Sequence, residues 1–145
     1  MSVTDGGRLP IFVYGTLRPG EHNHDLFLRG RTLSEQPATM RGIVLYDGPG
    51  YPYAVEEPAG VVHGELVAAL PETYAELLGT LDRLEEYAPG DPRNLYERVV
   101  RDVTRADGTA TRAWVYVAAP AVTARLRAHG RLVPGGDWRE RRRTR

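Results

Sequence analysis

The chain has 145 residues, 41% of them apolar and 26% charged, and its 19 basic residues balance its 19 acidic ones. A chain of this length and composition can build one hydrophobic core, which favours a single globular domain and excludes fibrous and wholly disordered proteins. The balanced charge argues against a general polyanion partner, so no nucleic acid is expected.

All of the basic residues are arginine, and the chain contains neither lysine nor cysteine. This excludes Schiff-base lysines, the phosphate-loop lysine, cysteine nucleophiles, disulfides and thiolate metal sites. Serine occurs only at Ser2 and Ser34, neither within a G-x-S-x-G motif, so a serine hydrolase is not expected. Carboxylates, histidines, tyrosines, threonines and backbone amides remain as groups for catalysis.

The apolar runs are too short to cross a membrane, since a spanning helix needs about 20 apolar residues. The longest apolar stretches are short, as residues 11–14 and residues 115–120 show. The beginning of the chain, MSVTDGGRLP, lacks the basic segment and the continuous apolar segment of an export signal. We therefore expect a cytoplasmic protein with no membrane partner.

The first half of the chain predicts several strands. Residues 9–14 (LPIFVY) form a nearly continuous apolar run that is typical of a buried strand, and Gly15 ends it. A short helix is predicted at residues 21–28, closed by Gly30. Further strands are predicted at residues 40–46, 51–55 and 61–66, with turns at residues 47–50 and 57–60 between them.

The second half begins with the clearest helix, which starts at Pro71, a residue favoured in the first helical turn. The apolar residues of this helix recur at helical spacing and define one stripe: Tyr74, Leu77, Leu78, Leu81 and Leu84. A loop rich in proline and glycine follows at residues 87–94.

A hairpin comes next, with strands at residues 95–104 and 109–117 around the turn Ala106-Asp107-Gly108. In its second strand Trp114 and Tyr116 share one face, and Ala113, Val115 and Val117 share the other. A short helix is predicted at residues 121–129. We expect one domain over residues 1–138 and an Arg-rich tail at residues 139–145.

The loop after the first strand, VYGTLRPG, is a candidate anion site. Gly15 lets the backbone turn sharply, so the amides of Gly15, Thr16 and Leu17 can converge on a carboxylate or an oxyanion. An ordinary strand-to-helix turn is the alternative. Neither a Walker motif nor a dinucleotide-binding motif is present.

Glu85 is the candidate acid–base residue. It lies four residues after Leu81 and eleven after Tyr74, so it lies on the helix face that carries the apolar stripe, whereas Glu86 lies off that face. Burial and the negative end of the helix dipole both disfavour a carboxylate, which predicts a raised pKa. Alternatively, the helix ends before residue 85 and the side chain turns to solvent. Asp82 lies at the edge of the stripe and is interpreted as a surface or loop-capping group.

The remaining polar residues are weaker candidates. His22 and His24 diverge on a helix and complete no metal cluster, so we expect no metal site. Tyr96 and Arg98 share a strand face and can line a pocket or serve packing. The Arg-rich tail is interpreted as a solvated end, with weak nucleic-acid contact as the alternative.

Six motifs occur in the order seen in one known family: VYGTLRPG, GIVLYDGPGYPYAV, VVHGEL, LDRLEEY, LYERVV and AWVYV. Over residues 11–117 the chain resembles the γ-glutamyl cyclotransferase-like family. The resemblance implies a compact α+β fold with a mixed-strand, β-barrel-like domain and a few short helices. The form of the first motif is most similar to the branch of γ-glutamylamine cyclotransferases and the butirosin-pathway enzyme.

The resemblance also implies roles for individual residues. Glu85, at the end of the L-D-x-x-E stretch, would be catalytic. Substrate would bind at four consecutive residues of the first loop and, with less weight, at Tyr96; the four are Tyr14, Gly15, Thr16 and Leu17. One position departs from the family pattern, because Glu86 stands where many members have glycine.

The reaction implied is a cyclisation. The α-amine of a small γ-glutamyl amide attacks the γ-carbonyl carbon, which releases 5-oxoproline and a free amine, with Glu85 as general acid and base. No metal or cofactor is expected to take part. The alternative is a non-catalytic binding module that senses a γ-glutamyl or other carboxylate metabolite with the same pocket.

Overall fold

The computed structural model of the protein describes residues 8–21, 23–48 and 51–138. Five strands close into a barrel in the order β1-β3-β2-β4-β5, and short helices pack against it. This confirms the predicted α+β, barrel-like fold. The strands are β1 (Ile11–Val13), β2 (Thr32–Asp47), β3 (Pro52–Ala69), β4 (Tyr96–Arg105) and β5 (Ala110–Ala118).

The pair β2–β3 is much longer than predicted. It runs antiparallel from the pair Thr32–Ala69 to the pair Asp47–Pro52. The predicted turn at residues 57–60 does not end a strand, because these residues form an irregularity opposite Gly42, where the register shifts. Gly42 has a φ of 90°, which glycine adopts without strain. A bulge of this kind absorbs the extra residues and bends the strand.

Four further pairings complete the barrel, one of them the antiparallel contact of β2 with β4 at Ala38 and Thr39. The predicted hairpin is confirmed as the antiparallel pair β4–β5, from the pair Tyr96–Ala118 to the pair Thr104–Ala110. The short strand β1 runs antiparallel to β3 and parallel to β5. The carboxyl ends of β1 and β5 and the first residues of β3 and β4 therefore meet at one end of the barrel.

The helices differ from the predictions mainly in their first turns. Pro71 opens a 3-10 turn, Pro71–Thr73, which leads into α1 (Tyr74–Leu84). The predicted helix at residues 21–28 is shorter, a π-helix at His24–Leu28 in which the Arg29 amide donates to the His24 carbonyl at 2.9 Å. Two short helices follow the hairpin, α2 (Pro120–His129) and the 3-10 turn Pro134–Gly136. No helix among the described residues is long and apolar enough to span a bilayer.

The core consists of two clusters on opposite faces of the strands. The helices pack on the first, through residues such as Leu77 of α1 and Leu126 of α2. The second is built almost wholly from strand residues and Trp138. The faces of β5 divide between them as predicted, with Tyr116 in the first cluster and Val115 in the second. The predicted Arg-rich tail lies outside the described residues.

Candidate active site

A cavity of about 170 Å³ lies at the end of the barrel where β1 and β5 end and β3 and β4 begin. The carboxyl end of α1 reaches the same place. All six residues predicted as the site line this cavity: Tyr14, Gly15, Thr16, Leu17, Glu85 and Tyr96. The topology therefore brings the first loop and the helix end together, although they are far apart in the sequence.

Glu85 caps the carboxyl end of α1. The helix ends at Leu84, as the alternative reading of the sequence allowed, but the Glu85 amide still donates to the Leu81 carbonyl at 3.0 Å. The side chain thus keeps its helical direction and lines the cavity. Burial raises the pKa of Glu85 from 4.5 to about 7. Among residues 8–21, 23–48 and 51–138, none forms a hydrogen bond or ion pair with its carboxyl group.

The residue after Glu85 completes the helix end in a left-handed conformation. Glu86 has a φ of 55°, the one positive φ outside glycine in the described part of the chain. Its amide donates to the Arg83 carbonyl at 3.1 Å, and the Tyr87 amide donates to the Asp82 carbonyl at 2.8 Å. This pair of bonds is the Schellman motif, in which glycine is the usual residue at the left-handed position. Glu86 keeps the turn geometry but strains its own backbone.

Four tyrosines surround the Glu85 carboxyl: Tyr14, Tyr53, Tyr96 and Tyr116. The pKa of each is raised, chiefly by burial, and the carboxylate of Glu85 adds to the effect in every case. The pKa of Tyr53 rises to about 12. These phenols stay neutral near pH 7, so Glu85 is the group in this set that can exchange a proton there.

The loop after β1 presents three backbone amides. Within the part of the chain that the structure describes, nothing accepts a hydrogen bond from the amides of Gly15, Thr16 or Leu17. Gly15 does not adopt the left-handed conformation; glycine is needed because a Cβ would lie 2.8 Å from the Pro52 ring. Asn23 holds the next residue, since its side chain donates to the Thr16 hydroxyl at 2.8 Å. These amides can receive an anion.

A buried ion pair anchors the same loop to the barrel. Arg18 donates from Nε to Glu65 on β3 at 2.8 Å, and from Nη1 to Asp137 at 2.8 Å. The side chains of Arg18 and Glu65 are only 6% and 10% exposed. No role for Arg18 beyond its place in the motif could be predicted from the sequence, because its two partners are 47 and 119 residues away.

Asp82 lies differently from the prediction. It was interpreted as a surface or loop-capping group, but its half-buried carboxylate accepts a hydrogen bond from the Tyr116 hydroxyl at 2.6 Å. Arg98 also donates to it, from Nε at 2.8 Å and Nη2 at 3.1 Å. Arg98 itself does not line the cavity, whereas Tyr96, two residues before it on β4, does.

Nine lining residues were not among the predicted site residues: Phe12, Val13, Asn23, Tyr51, Pro52, Leu84, Glu86, Leu95 and Tyr116. Tyr51 and Pro52 belong to the motif GIVLYDGPGYPYAV, so a signal for them was present. His24 hydrogen bonds with Glu35 at 2.7 Å, and His22 lies outside the described residues. In the described ranges, no group of three or more His, Cys, Asp or Glu side chains is placed to hold a metal ion.

Comparison with known proteins identifies the family. The family model for γ-glutamyl cyclotransferase, AIG2-like, matches residues 11–140. The γ-L-glutamyl-butirosin B γ-glutamyl cyclotransferase of Niallia circulans is 41% identical over 108 residues, which are 74% of this chain and 65% of that protein.

Two solved structures share the fold. YkqA from Bacillus subtilis is 25% identical with a TM-score of 0.64, over 94% of this chain and 41% of the longer YkqA chain. An AIG2-like protein from Mus musculus is 25% identical with a TM-score of 0.58, over 78% of this chain and 80% of that one. With the family model covering most of the sequence, the chain belongs to the γ-glutamyl cyclotransferase, AIG2-like family.

Proposed function

We propose that this protein is a γ-glutamyl cyclotransferase that converts the γ-glutamyl group of a small γ-glutamyl amide to 5-oxoproline and releases a free amine. The observation that carries the proposal is the Glu85 carboxyl, which is half-buried in the cavity and has no partner among the described residues. Three backbone amides of the same cavity have no acceptor among those residues either. Membership of the family and the name of the Niallia relative support the same reaction.

The chemistry requires one proton to move between two nitrogen atoms. The substrate's α-amine must be neutral to attack, but its ordinary pKa is about 7.7 to 8.0, so much of it is protonated near pH 7. Glu85, with a pKa of about 7, is matched to accept that proton. A bond then forms between the α-nitrogen and the γ-carbonyl carbon. As the old carbon–nitrogen bond breaks, Glu85 returns the proton to the leaving nitrogen, and the second proton that the α-nitrogen loses on ring closure passes to solvent.

The loop amides supply the complementary contacts. The amides of Gly15, Thr16 and Leu17 would hold either the substrate's α-carboxylate or the oxyanion that forms on the γ-carbonyl oxygen. Tyr96 would line the pocket beside the glutamyl group. Holding the amine and the carbonyl of one molecule together lowers the entropic cost of ring closure. The reaction as proposed uses no metal ion and no cofactor.

The size and charge of the cavity suit this substrate. A cavity of about 150 Å³ takes up a benzene-sized molecule, so about 170 Å³ accommodates a glutamyl group and leaves most of a larger amine outside. The charged residues among the lining are both acidic, Glu85 and Glu86. The acidic lining favours binding of the substrate's α-ammonium group, and the backbone amides of the first loop provide sites for its α-carboxylate.

A panel of γ-glutamyl amides, assayed for 5-oxoproline by mass spectrometry, tests the proposal. We expect product from at least one amide, and a loss of at least about 100-fold in turnover for Glu85→Gln with substrate binding retained. Glu76→Gln is the matched control, because it makes the same change at an exposed side chain of α1 that does not line the cavity. Binding across the panel without product would contradict the proposal and favour the ligand-sensing alternative.

A further inference from the structure

Three tyrosines that line the cavity direct their hydroxyl protons away from Glu85. The Tyr14 hydroxyl donates to the backbone carbonyl of Tyr116 at 2.5 Å, and the Tyr96 hydroxyl donates to the backbone carbonyl of Pro52 at 2.8 Å. The Tyr116 hydroxyl donates to Oδ1 of Asp82 at 2.6 Å. Two of these three acceptors are backbone carbonyls. The third is the carboxylate of Asp82, a side chain that substitution can remove.

Asp82 is itself held in place. Both of its carboxylate oxygens accept from the Arg98 guanidinium, at 2.8 and 3.1 Å, in a two-pronged contact. The Arg98 guanidinium lies 4.2 Å from the centre of the Trp114 ring and 5.7 Å from the centre of the Tyr87 ring. The side chains of Arg98 and Asp82 are 15% and 18% exposed. The last turn of α1 is therefore tied to the hairpin, and the carboxylate cannot easily swing away from Tyr116.

We propose that Asp82, fixed by Arg98, is a positioning residue that keeps the Tyr116 hydroxyl bonded to itself and so leaves the Glu85 carboxyl without a hydrogen-bond donor. Asp82 and Glu85 are three residues apart in the sequence, so their Cβ atoms are neighbours on the helix surface, about 5 to 6 Å apart. Tyr116 lines the cavity with Glu85 and is close enough to feel its charge. If Asp82 did not hold the hydroxyl, the Glu85 carboxylate would be the next acceptor.

The consequence concerns the protonation of Glu85, and the inference rests on the proposed function of that residue as the acid–base group. A hydrogen bond donated to a carboxylate favours its charged form and lowers its pKa. The titratable and charged groups around Glu85 come from every element beside it: Tyr14 after β1, Tyr51 before β3, Tyr53 on β3, Tyr96 and the paired Arg98 on β4, Tyr116 on β5, and Asp82 and Glu86 at the end of α1. None of these donates to Glu85 in the described structure.

Titration of the Glu85 carboxyl by carbon-13 NMR in the substrate-free protein tests the inference, with the pH profile of kcat/KM as a second readout. Asp82→Ala is expected to lower the midpoint by about one pH unit, because the freed hydroxyl then donates to Glu85. Tyr116→Phe alone should leave the midpoint within about 0.3 of the parent value. In the double variant Asp82→Ala/Tyr116→Phe, which lacks the freed hydroxyl, the Glu85 midpoint should return most of the way to the parent value.

The double variant distinguishes the effect of the freed hydroxyl on the Glu85 midpoint from the effect of the unpaired Arg98 charge. Arg98 has lost its Asp82 partner in both proteins, but only Asp82→Ala keeps the hydroxyl. Equal midpoints for Asp82→Ala and Asp82→Ala/Tyr116→Phe would overturn the inference, as would an unshifted Asp82→Ala. Asp82→Asn keeps an oxygen acceptor for the Tyr116 hydroxyl. The midpoint of the Glu85 carboxyl should therefore be the same in Asp82→Asn and in Asp82→Asn/Tyr116→Phe. A difference of more than about 0.5 pH unit between those two would also overturn it, even if Asp82→Ala failed to fold.

The NMR midpoint does not depend on turnover. An unmodified protein that releases no 5-oxoproline would refute the proposed function, whereas the titration series alone decides the role of Asp82.

Discussion

Replacing Glu85 with glutamine is expected to stabilise the protein at pH 8, although it removes the acid–base group. Glutamine has the shape of the protonated glutamate and carries no charge at any pH. In the folded protein burial raises the pKa of Glu85 from 4.5 to about 7. Above pH 7 the folded protein therefore buries a carboxylate at a cost, and the variant does not.

The size of the effect follows from that pKa. A rise of about 2.5, at about 1.4 kcal/mol for each unit, amounts to about 3 kcal/mol. Between about pH 4.5 and pH 7 the unfolded chain has lost this proton and the folded protein still holds it, so stability falls as the pH rises through this window. Below the window both states are protonated and the cost is absent. Glu85→Gln should therefore gain about 3 kcal/mol at pH 8 and less than about 1 kcal/mol at pH 5.

Urea unfolding of both proteins at pH 5 and pH 8 measures the gain. With a slope of about 1 to 3 kcal/mol per molar urea, the midpoint at pH 8 should rise by about 1 M or more. Glu86→Gln is the control, since an exposed substitution should change stability by less than about 0.5 kcal/mol at both pH values. An equal gain for Glu85→Gln at pH 5 and pH 8 would refute the claim that burial controls this carboxyl.

Three further substitutions test the site's framework. Glu86→Gly relieves the left-handed backbone and should stabilise the protein by about 0.5 to 1 kcal/mol, as thermal unfolding would show; an unchanged or lower midpoint would contradict the strain. Gly15→Ala places a Cβ 2.8 Å from the Pro52 ring, so we expect about 1 to 3 kcal/mol of destabilisation and a higher KM; unaltered stability and kinetics would show that the loop yields freely. Glu65→Gln leaves Arg18 with Asp137 as its remaining carboxylate partner and should cost about 1.5 to 3 kcal/mol in urea unfolding; a loss below about 0.5 kcal/mol would show that the pair with Glu65 does not anchor the loop.

The helix face of Glu85 could be predicted from the sequence because it follows from local geometry. Helical spacing fixes which side a residue takes relative to Leu81 and Leu77, whatever the rest of the chain does. The same arithmetic set the side chain of Asp82 at the stripe's edge, but it could not show what lies opposite. The partners of Asp82 on the hairpin, Arg98 and Tyr116, are 16 and 34 residues away, and only the packing of α1 on the sheet brings them there.

The lengths of β2 and β3 show a second limit. Residues 57–60 contain proline and glycine and resemble a turn, so the sequence predicts two short strands there. In the barrel the pairing with β2 resumes on both sides of them, at Arg41 and Ile43, and the extra residues are absorbed as a bulge. Gly60 permits this, because a Cβ there would lie 2.1 Å from the Ile43 carbonyl oxygen. Long-range pairing thus outweighed the local turn preference.

The central claim is that the substrate's own amine, and not water, attacks the γ-carbonyl carbon beside Glu85. Turnover of a γ-glutamyl amide in water enriched with oxygen-18, followed by mass spectrometry, tests it directly. Cyclisation predicts 5-oxoproline with no added oxygen-18 and one equivalent of free amine. Glutamate carrying one oxygen-18 atom would mean that the site hydrolyses the amide, and would contradict the mechanism.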